Sequence, residues 1–350
     1  SLTLKPGRQA QLKADGSLVV NGNAAVWEPP ARGGTLTLVA RINHERRGDG
    51  YDAFMDKTWA VFRGDDLVPM VKARLRKGAS SHATLRFRLP PGWGSVDTGW
   101  IRNPDGSFAI DSAERRFDRP TGWMIAGDLG QRRERVGSTD ITVSAPKGDA
   151  VRRMDVLSFV GLLWPSIESA FGRLPPKVLL VRAGDPMWRG GLSGPNSLFL
   201  HADRPLVSEN GTSTLVHELV HVLTRIRGKA PEDDWIAEGL AEFYSIELMQ
   251  RAGGMTDARR ALVDAELKDW SAGVKTLRTK RSKGPVTARA ALLFGELDAE
   301  IRKASDGRRR LDDVVRMLIR RRDVSLIGLR IAAEKVAGGK LKTFDSPLLR

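Results

Sequence analysis

The sequence predicts an α+β protein of more than one domain. An all-β, sandwich-like domain over residues 1–150 is followed, over residues 151–350, by a small mixed sheet and a helical bundle. Three observations lead there. Short apolar runs in the first part are separated by turn dipeptides. The hydrophobic period changes near residue 150 from two to that of a helix. No internal repeat and no apolar run long enough to span a membrane interrupts this order.

The elements follow in turn. Asp15-Gly16, Asn21-Gly22, Asp49-Gly50 and Asp105-Gly106 mark turns, because glycine there supplies the backbone angles of tight hairpins. Between them "GSLVVNG", "GTLTLVARI", "ATLRFRLP", "GSFAI" and "STDITVSAP" read as strands, rich in residues that favour a pleated surface. Trp27, Trp59, Trp93, Trp100 and Trp123 are expected in the core or between sheets. Residues 154–174 have helical spacing, with Pro165 an expected kink. "PKVLLVRAG" and "NSLFLHA" (196–202) read as buried strands, the second with Ser197, Phe199 and His201 on one side. From Thr212 onward helices are expected at 213–227, about 233–252, 257–271, 286–304, 309–321 and 325–337. Gly228 and Gly253-Gly254 read as C-terminal stops, and Pro231 precedes the second of these helices.

A hydrophobic fraction of 41% and a charged fraction of 28% are those of a globular chain. The sequence has no cysteine, which excludes disulfides, thiolate zinc sites and a cysteine nucleophile. Any metal must therefore be held by histidine and carboxylate. The net charge of +15 allows an anionic partner such as a nucleic acid or an acidic polymer. The basic runs "RKGASSHATLRFR", "QRRERV", "LRTKRSKG", "DGRRR" and "IRRRD" are spread along the chain, however, and read as solvated surface. No nucleic-acid motif accompanies them, so nucleic acid is not the expected partner. The chain opens "SLTLKPGRQ", without an initiator methionine or a signal peptide, and leaves localisation unread.

The chemistry concentrates in "TLVHELVHVL" (214–223). Ser213 or Thr212 is the expected N-cap of its helix. Residues four apart are offset by only about 40° around a helix. His217 and His221 can therefore aim two imidazoles at one ion. Glu218, roughly 100° round from His217, is poorly placed to ligate and well placed as a general base for water. The plainer alternative is a core helix carrying two hydrogen-bonded histidines. The following segment, "DDWIAEGLAEFYSIEL" (233–248), weighs against it. Glu238 lies 17 positions after His221, across a loop long enough to reverse the chain, and can supply a third ligand. Glu242 shares its face and can accept the remaining ring N–H of a ligand histidine. Two carboxylates on an otherwise apolar face are costly without a partner, and one zinc ion (Zn2+) removes that cost. Glu247 is off this face and is read as surface.

"HELVH" followed by "WIAEGLAEFY" resembles the zinc helix and third-ligand segment of the gluzincin metallopeptidases, in the branch of aminopeptidase N and glycyl aminopeptidase. "FGRLPPKVLLV" (171–181), "GGLSGPNSLFL" (190–200) and "LDAEIRKASDGRRRLDDVVRML" (297–318) are similar to further family segments in the same chain order. The likeness covers most of 150–340. It implies a thermolysin-like catalytic domain, a zinc ion on His217, His221 and Glu238, Glu218 as catalytic base, and a peptide or protein substrate. Relatives are often exported, which implies a periplasmic or secreted protein and leaves the cytoplasm open.

Two departures matter. Gly191, Leu192, Ser193 and Gly194 stand where the family lines its substrate cleft, and Ser193 occupies the place of a glutamate that grips a free amino terminus. The family tyrosine that holds the oxyanion also has no counterpart. The chain has two tyrosines, Tyr51 and Tyr244. Tyr244 is about 240° round its helix from Glu238, and 284–298 contains none. His201 and Arg289 are candidate replacement donors, with ordinary packing or surface roles as the plainer readings. A zinc peptidase and a zinc-bearing pseudopeptidase that serves as a binding or scaffold module both remain open. A binder of anionic polymers is a third reading.

Overall fold

The computed structural model describes the 350-residue chain except residues 1, 6–8, 23, 47, 49, 74–76, 79–80 and 112–117, and the side chains of residues 5, 9 and 10. Asp49 of one expected turn and residues 76, 79 and 80 of one basic run lie outside the described residues. Two compact units are present. The first comprises Ser1–Glu134, Asp140–Arg153 and Pro176–Asp203; the second comprises Arg135–Thr139, Met154–Pro175 and Arg204–Arg350.

The first unit is built of sheets, with one helical turn, α1 (Gly64–Leu67). One antiparallel sheet orders Ser95–Thr98, Trp123–Gly127, Trp59–Arg63, Tyr51–Met55 and His44–Glu45. Its central strands are apolar on both faces, and the period of two sorts their side chains. Trp59, Val61, Trp123 and Ile125 join Leu179, Val181 and Phe199 in one core cluster. Ala60, Phe62, Met124 and Ala126 join Val96, Trp100 and Phe108 in another. Trp27 and Trp93 are only partly covered. Their indole N–H groups donate to the carbonyls of Asp15 and Lys57, 2.7 and 2.9 Å away.

A mixed sheet orders Leu129–Val136, Thr139–Pro146, Lys177–Ala183, Ser197–His201 and Gly191–Gly194. The three middle strands run parallel and the last is antiparallel. Parallel pairing from Asp140–Lys177 to Ser144–Val181 ties the strands beyond residue 176 to the first unit. The division into compact units therefore follows a different line from a boundary at residue 150.

The second unit is helical: α2 (Arg153–Phe171), α3 (Thr214–Thr224), α4 (Asp234–Arg251), α5 (Asp257–Trp270), α6 (Pro285–Ala304), α7 (Leu311–Ile319) and α8 (Leu326–Ala337). The helix α2 continues through Pro165. The stop expected at Gly228 is corrected: α3 ends at Thr224. Arg225 takes the left-handed conformation at φ 52° and its N–H returns to the His221 carbonyl. Gly228 instead lies in a two-residue strand, Arg227–Gly228, parallel to Asp323–Val324. No helix among the described residues is long and apolar enough to cross a membrane. The α+β, multidomain architecture expected from the periodicities is the one observed.

Candidate metal centre

The site is built on α3 and α4. Ser213 caps α3, its hydroxyl accepting the Val216 N–H at 3.2 Å while donating to the Leu206 carbonyl. Leu215, Val216, Leu219, Val220, Val222 and Leu223 are buried, which leaves His217, Glu218 and His221 on the half-covered face. On α4, Trp235, Ile236, Leu240 and Phe243 are buried while Glu238 and Glu242 are half-covered. Gly239 lets α4 approach α6 closely. A Cβ at that position would stand 2.6 Å from the Ala290 Cβ and 3.0 Å from the Phe294 ring.

These helices bring His217, His221 and Glu238 together, each offering one ligand atom within 4.8 Å of the others. His217 Nε2 and His221 Nε2 are 3.2 Å apart. His217 Nε2 lies 3.3 Å from Glu238 Oε2, and His221 Nε2 lies 3.4 Å from Glu238 Oε1. A tetrahedral zinc ion takes imidazole nitrogen and carboxylate oxygen at about 2.0–2.2 Å, which sets donor–donor edges of about 3.3–3.5 Å. The His217–His221 edge is close to that range, and each histidine nitrogen meets its own Glu238 oxygen at a similar distance, so the carboxylate faces both rings. Two imidazoles and one carboxylate, with a fourth position left over, are also a donor set of hydrolytic zinc sites. The residues fit the ion.

Glu242 completes the arrangement from below. Its Oε2 accepts from His217 Nδ1 at 2.9 Å, which turns the Nε2 lone pair towards the cluster. Glu218 makes no hydrogen bond among the described residues, and its carboxylate is close enough to act electrostatically on His217. Without a metal the cluster retains a proton instead. Burial lowers the pKa of His217, but Glu238, Glu242 and Glu218 outweigh it and push it up to about 10. Burial raises that of Glu238, and the two histidines outweigh it, holding the carboxyl well below the usual range. Both shifts arise from the same pairing of histidine with carboxylate.

The remaining candidates lie on other elements. Gly191, Leu192, Ser193 and Gly194 form the edge strand of the mixed sheet, Ser193 opposite Leu198. They belong to the other compact unit, as does His201. The His201 ring is fully buried, its Nδ1 accepting the Asp203 N–H at 3.2 Å and its Nε2 3.5 Å from Asp185. Burial lowers its pKa. Arg289 pairs with Glu296 at 3.0 Å and lines a cavity of about 600 Å³ with Arg260, Asp264 and Lys268. None of the three clustered residues lines that cavity.

Sequence reasoning missed the clamp behind α4. Glu247, expected at the surface, is corrected: it binds Arg251 at 2.8 Å and Arg260 at 2.9 Å, with only 14% of its side chain exposed. Arg251 also grips Asp312 of α7 at 2.7 Å, and the Tyr244 hydroxyl donates to the same carboxylate at 2.8 Å. The Glu247–Arg251 spacing of four was the available signal. Asp312 gave none, being 61 residues from Arg251.

No family model matches the chain, and no curated protein resembles it in sequence. Solved structures do resemble it in fold. An aminopeptidase N family protein from Idiomarina loihiensis superposes with a TM-score of 0.61 at 17% identity, over 91% of this chain and 65% of its own. The chain thus spans just under two thirds of that protein. An M1 zinc metallopeptidase from Deinococcus radiodurans gives 0.60 at 17% identity, over 99% of this chain and 84% of its own. Yeast LTA4 hydrolase in complex with bestatin gives 0.62 at 14%, over 99% and 61%. The fold is that of zinc aminopeptidases of this kind, as the sequence motifs implied.

Proposed function

We propose that the protein is a zinc-dependent peptidase. The observation that carries this reading is the convergence of His217 Nε2, His221 Nε2 and the Glu238 carboxylate, one ligand atom of each within 4.8 Å of the others, a donor set that suits zinc. His217, His221 and Glu238 would hold one zinc ion, and Glu242 would fix the orientation of His217. Zinc bound there supplies Lewis acidity, acidifying water to a pKa of about 7 and polarising a carbonyl. Glu218 takes the proton from the attacking water and later returns it to the leaving amine. Its carboxylate is free to do so, with no hydrogen-bonded partner among the described residues. The substrate is a peptide or protein.

A second reading is a zinc-bearing pseudopeptidase. It is favoured by Tyr244, whose hydroxyl is committed to Asp312 in the interior of the helical unit. Absence of one oxyanion donor lowers turnover by about 10²–10³. Metal analysis with a broad peptide-library digest separates the two. Bound zinc, cleavage by the wild type and none by Glu218→Gln is the expected result. Bound zinc with no cleavage by either protein favours the scaffold reading. No zinc, and no thermal stabilisation when it is added, removes both.

A further inference from the structure

Helix α8 buries Leu329, Ala332 and Ala333 and leaves Ile327 71% and Ile331 54% exposed. These isoleucines are four residues apart and Lys335 is four further on, so the three form one stripe. Arg320 and Arg321 stand just ahead of the helix and Lys340 just after it, all exposed. Neither arginine, nor Lys335, nor Lys340 has a carboxylate partner among the described residues. On the same helix Arg330 is matched, to Glu334 at 2.9 Å. Lys340 also lines an open groove of about 850 Å³ with Lys303, where Glu300 is occupied by the N–H groups of Lys342 and Thr343. Elsewhere in the unit, Leu262 and Trp270 are exposed on α5, but among Asp264, Glu266 and Asp269. The face of α8 thus pairs uncovered aliphatic side chains with basic residues at both ends that have no carboxylate partner among the described residues.

We propose that this face docks on an anionic phospholipid surface. A helix lying in the headgroup layer buries its apolar stripe at the acyl boundary and places basic side chains against the phosphates. Charge complementarity selects the lipid: the flanks are basic and the chain as a whole carries +15. The isoleucines select lipid over nucleic acid, because a phosphate backbone has no place for branched aliphatic groups, and α8 carries no aromatic ring to stack on bases. No helix among the described residues is long and apolar enough to cross a bilayer.

The test is co-sedimentation of the full chain with vesicles of mixed phosphatidylglycerol and phosphatidylcholine, against pure phosphatidylcholine. The chain is expected to pellet with the anionic vesicles only, and less at high salt. Ile331→Glu should lower partition by about tenfold or more, and Ile327→Ser should act in the same direction. Lys335→Gln and Lys340→Gln should each lower it by about fivefold. The four positions are solvent-facing, so melting temperatures should not move, which separates lost docking from lost folding. No binding to anionic vesicles overturns the proposal, as does equal binding by Ile331→Glu. Binding to duplex DNA without binding to vesicles overturns it in favour of a nucleic-acid partner.

Discussion

Replacing Gly239 by alanine tests whether the packing of α4 on α6 sets the metal geometry. The new methyl would stand 2.6 Å from Ala290 Cβ and 3.0 Å from the Phe294 ring. Carbon atoms pack at about 3.5–4.0 Å, so α4 must move by about 1 Å. Overpacking of this kind costs about 1–3 kcal/mol. Alanine also recovers about 1 kcal/mol of helix propensity, which leaves a net loss of up to about 2 kcal/mol. The melting temperature should therefore fall by only a few degrees. Zinc affinity is the sharper readout, because propensity does not restore position. Glu238 is the adjacent residue, and a displacement of that size opens two of the three donor edges. Affinity measured by competition with a chromophoric chelator should fall at least about tenfold, as when support for a ligand is lost. Adding Ala290→Gly removes the main clash and should restore affinity. Stability should recover only in part, since glycine costs the α6 interior about 1 kcal/mol. Unchanged zinc affinity in Gly239→Ala, or no recovery in the double variant, would refute the reasoning.

Four further outcomes follow from the site and its clamp. Glu242→Gln keeps the shape but loses the carboxylate that orients His217, and zinc affinity should drop about 10–100-fold by the same titration. In chelator-treated protein, the His217 pKa of about 10 exceeds its ordinary 6.5, so the ion pair's stability is complete below 6.5 and is lost as pH rises through about 10. Thermal melts should show a metal-free protein weakening over that window and a zinc-loaded one weakening less. Tyr244→Phe should cost about 1–2 kcal/mol of stability and leave any peptidase turnover unchanged. Asp312→Ala, which leaves Arg251 with Glu247 alone and the buried Tyr244 hydroxyl without its acceptor, should cost more than Tyr244→Phe; denaturant titration reads both.

What was legible in the sequence was local. Four-residue spacing placed His217 and His221 on one face, and the same rule put Glu242 beside Glu238. The hairpin was readable because the loop between α3 and α4 carries turn residues between two apolar periodic runs. What was hidden depends on partners distant along the chain or on a conformation the residue type conceals. Arg225 adopts a backbone angle more typical of glycine, so the end of α3 was read at Gly228. Asp312 is apparent as the anchor of α4 only once α7 is in place. The grouping of Lys177–Ala183 with the first unit follows from parallel pairing across a long crossover, which no periodicity encodes.

The cluster itself argues against a purely structural role for its histidines. Glu242 takes the Nδ1 proton of His217, so any further proton on that ring must sit on Nε2. If it does, it points at Glu238 and also at His221 Nε2, 3.2 Å away. A proton on His221 Nε2, needed for its own bond to Glu238 at 3.4 Å, would then face the first. If neither nitrogen is protonated, two lone pairs converge beside a carboxylate, which is costlier still. One proton, on either ring, bonds one imidazole to Glu238 and leaves the lone pair of the other beside the carboxylate. A divalent cation satisfies all three donors at once, with the two neutral imidazoles and one carboxylate leaving a net charge of +1 at the centre. The donor set of this cluster suits a divalent cation.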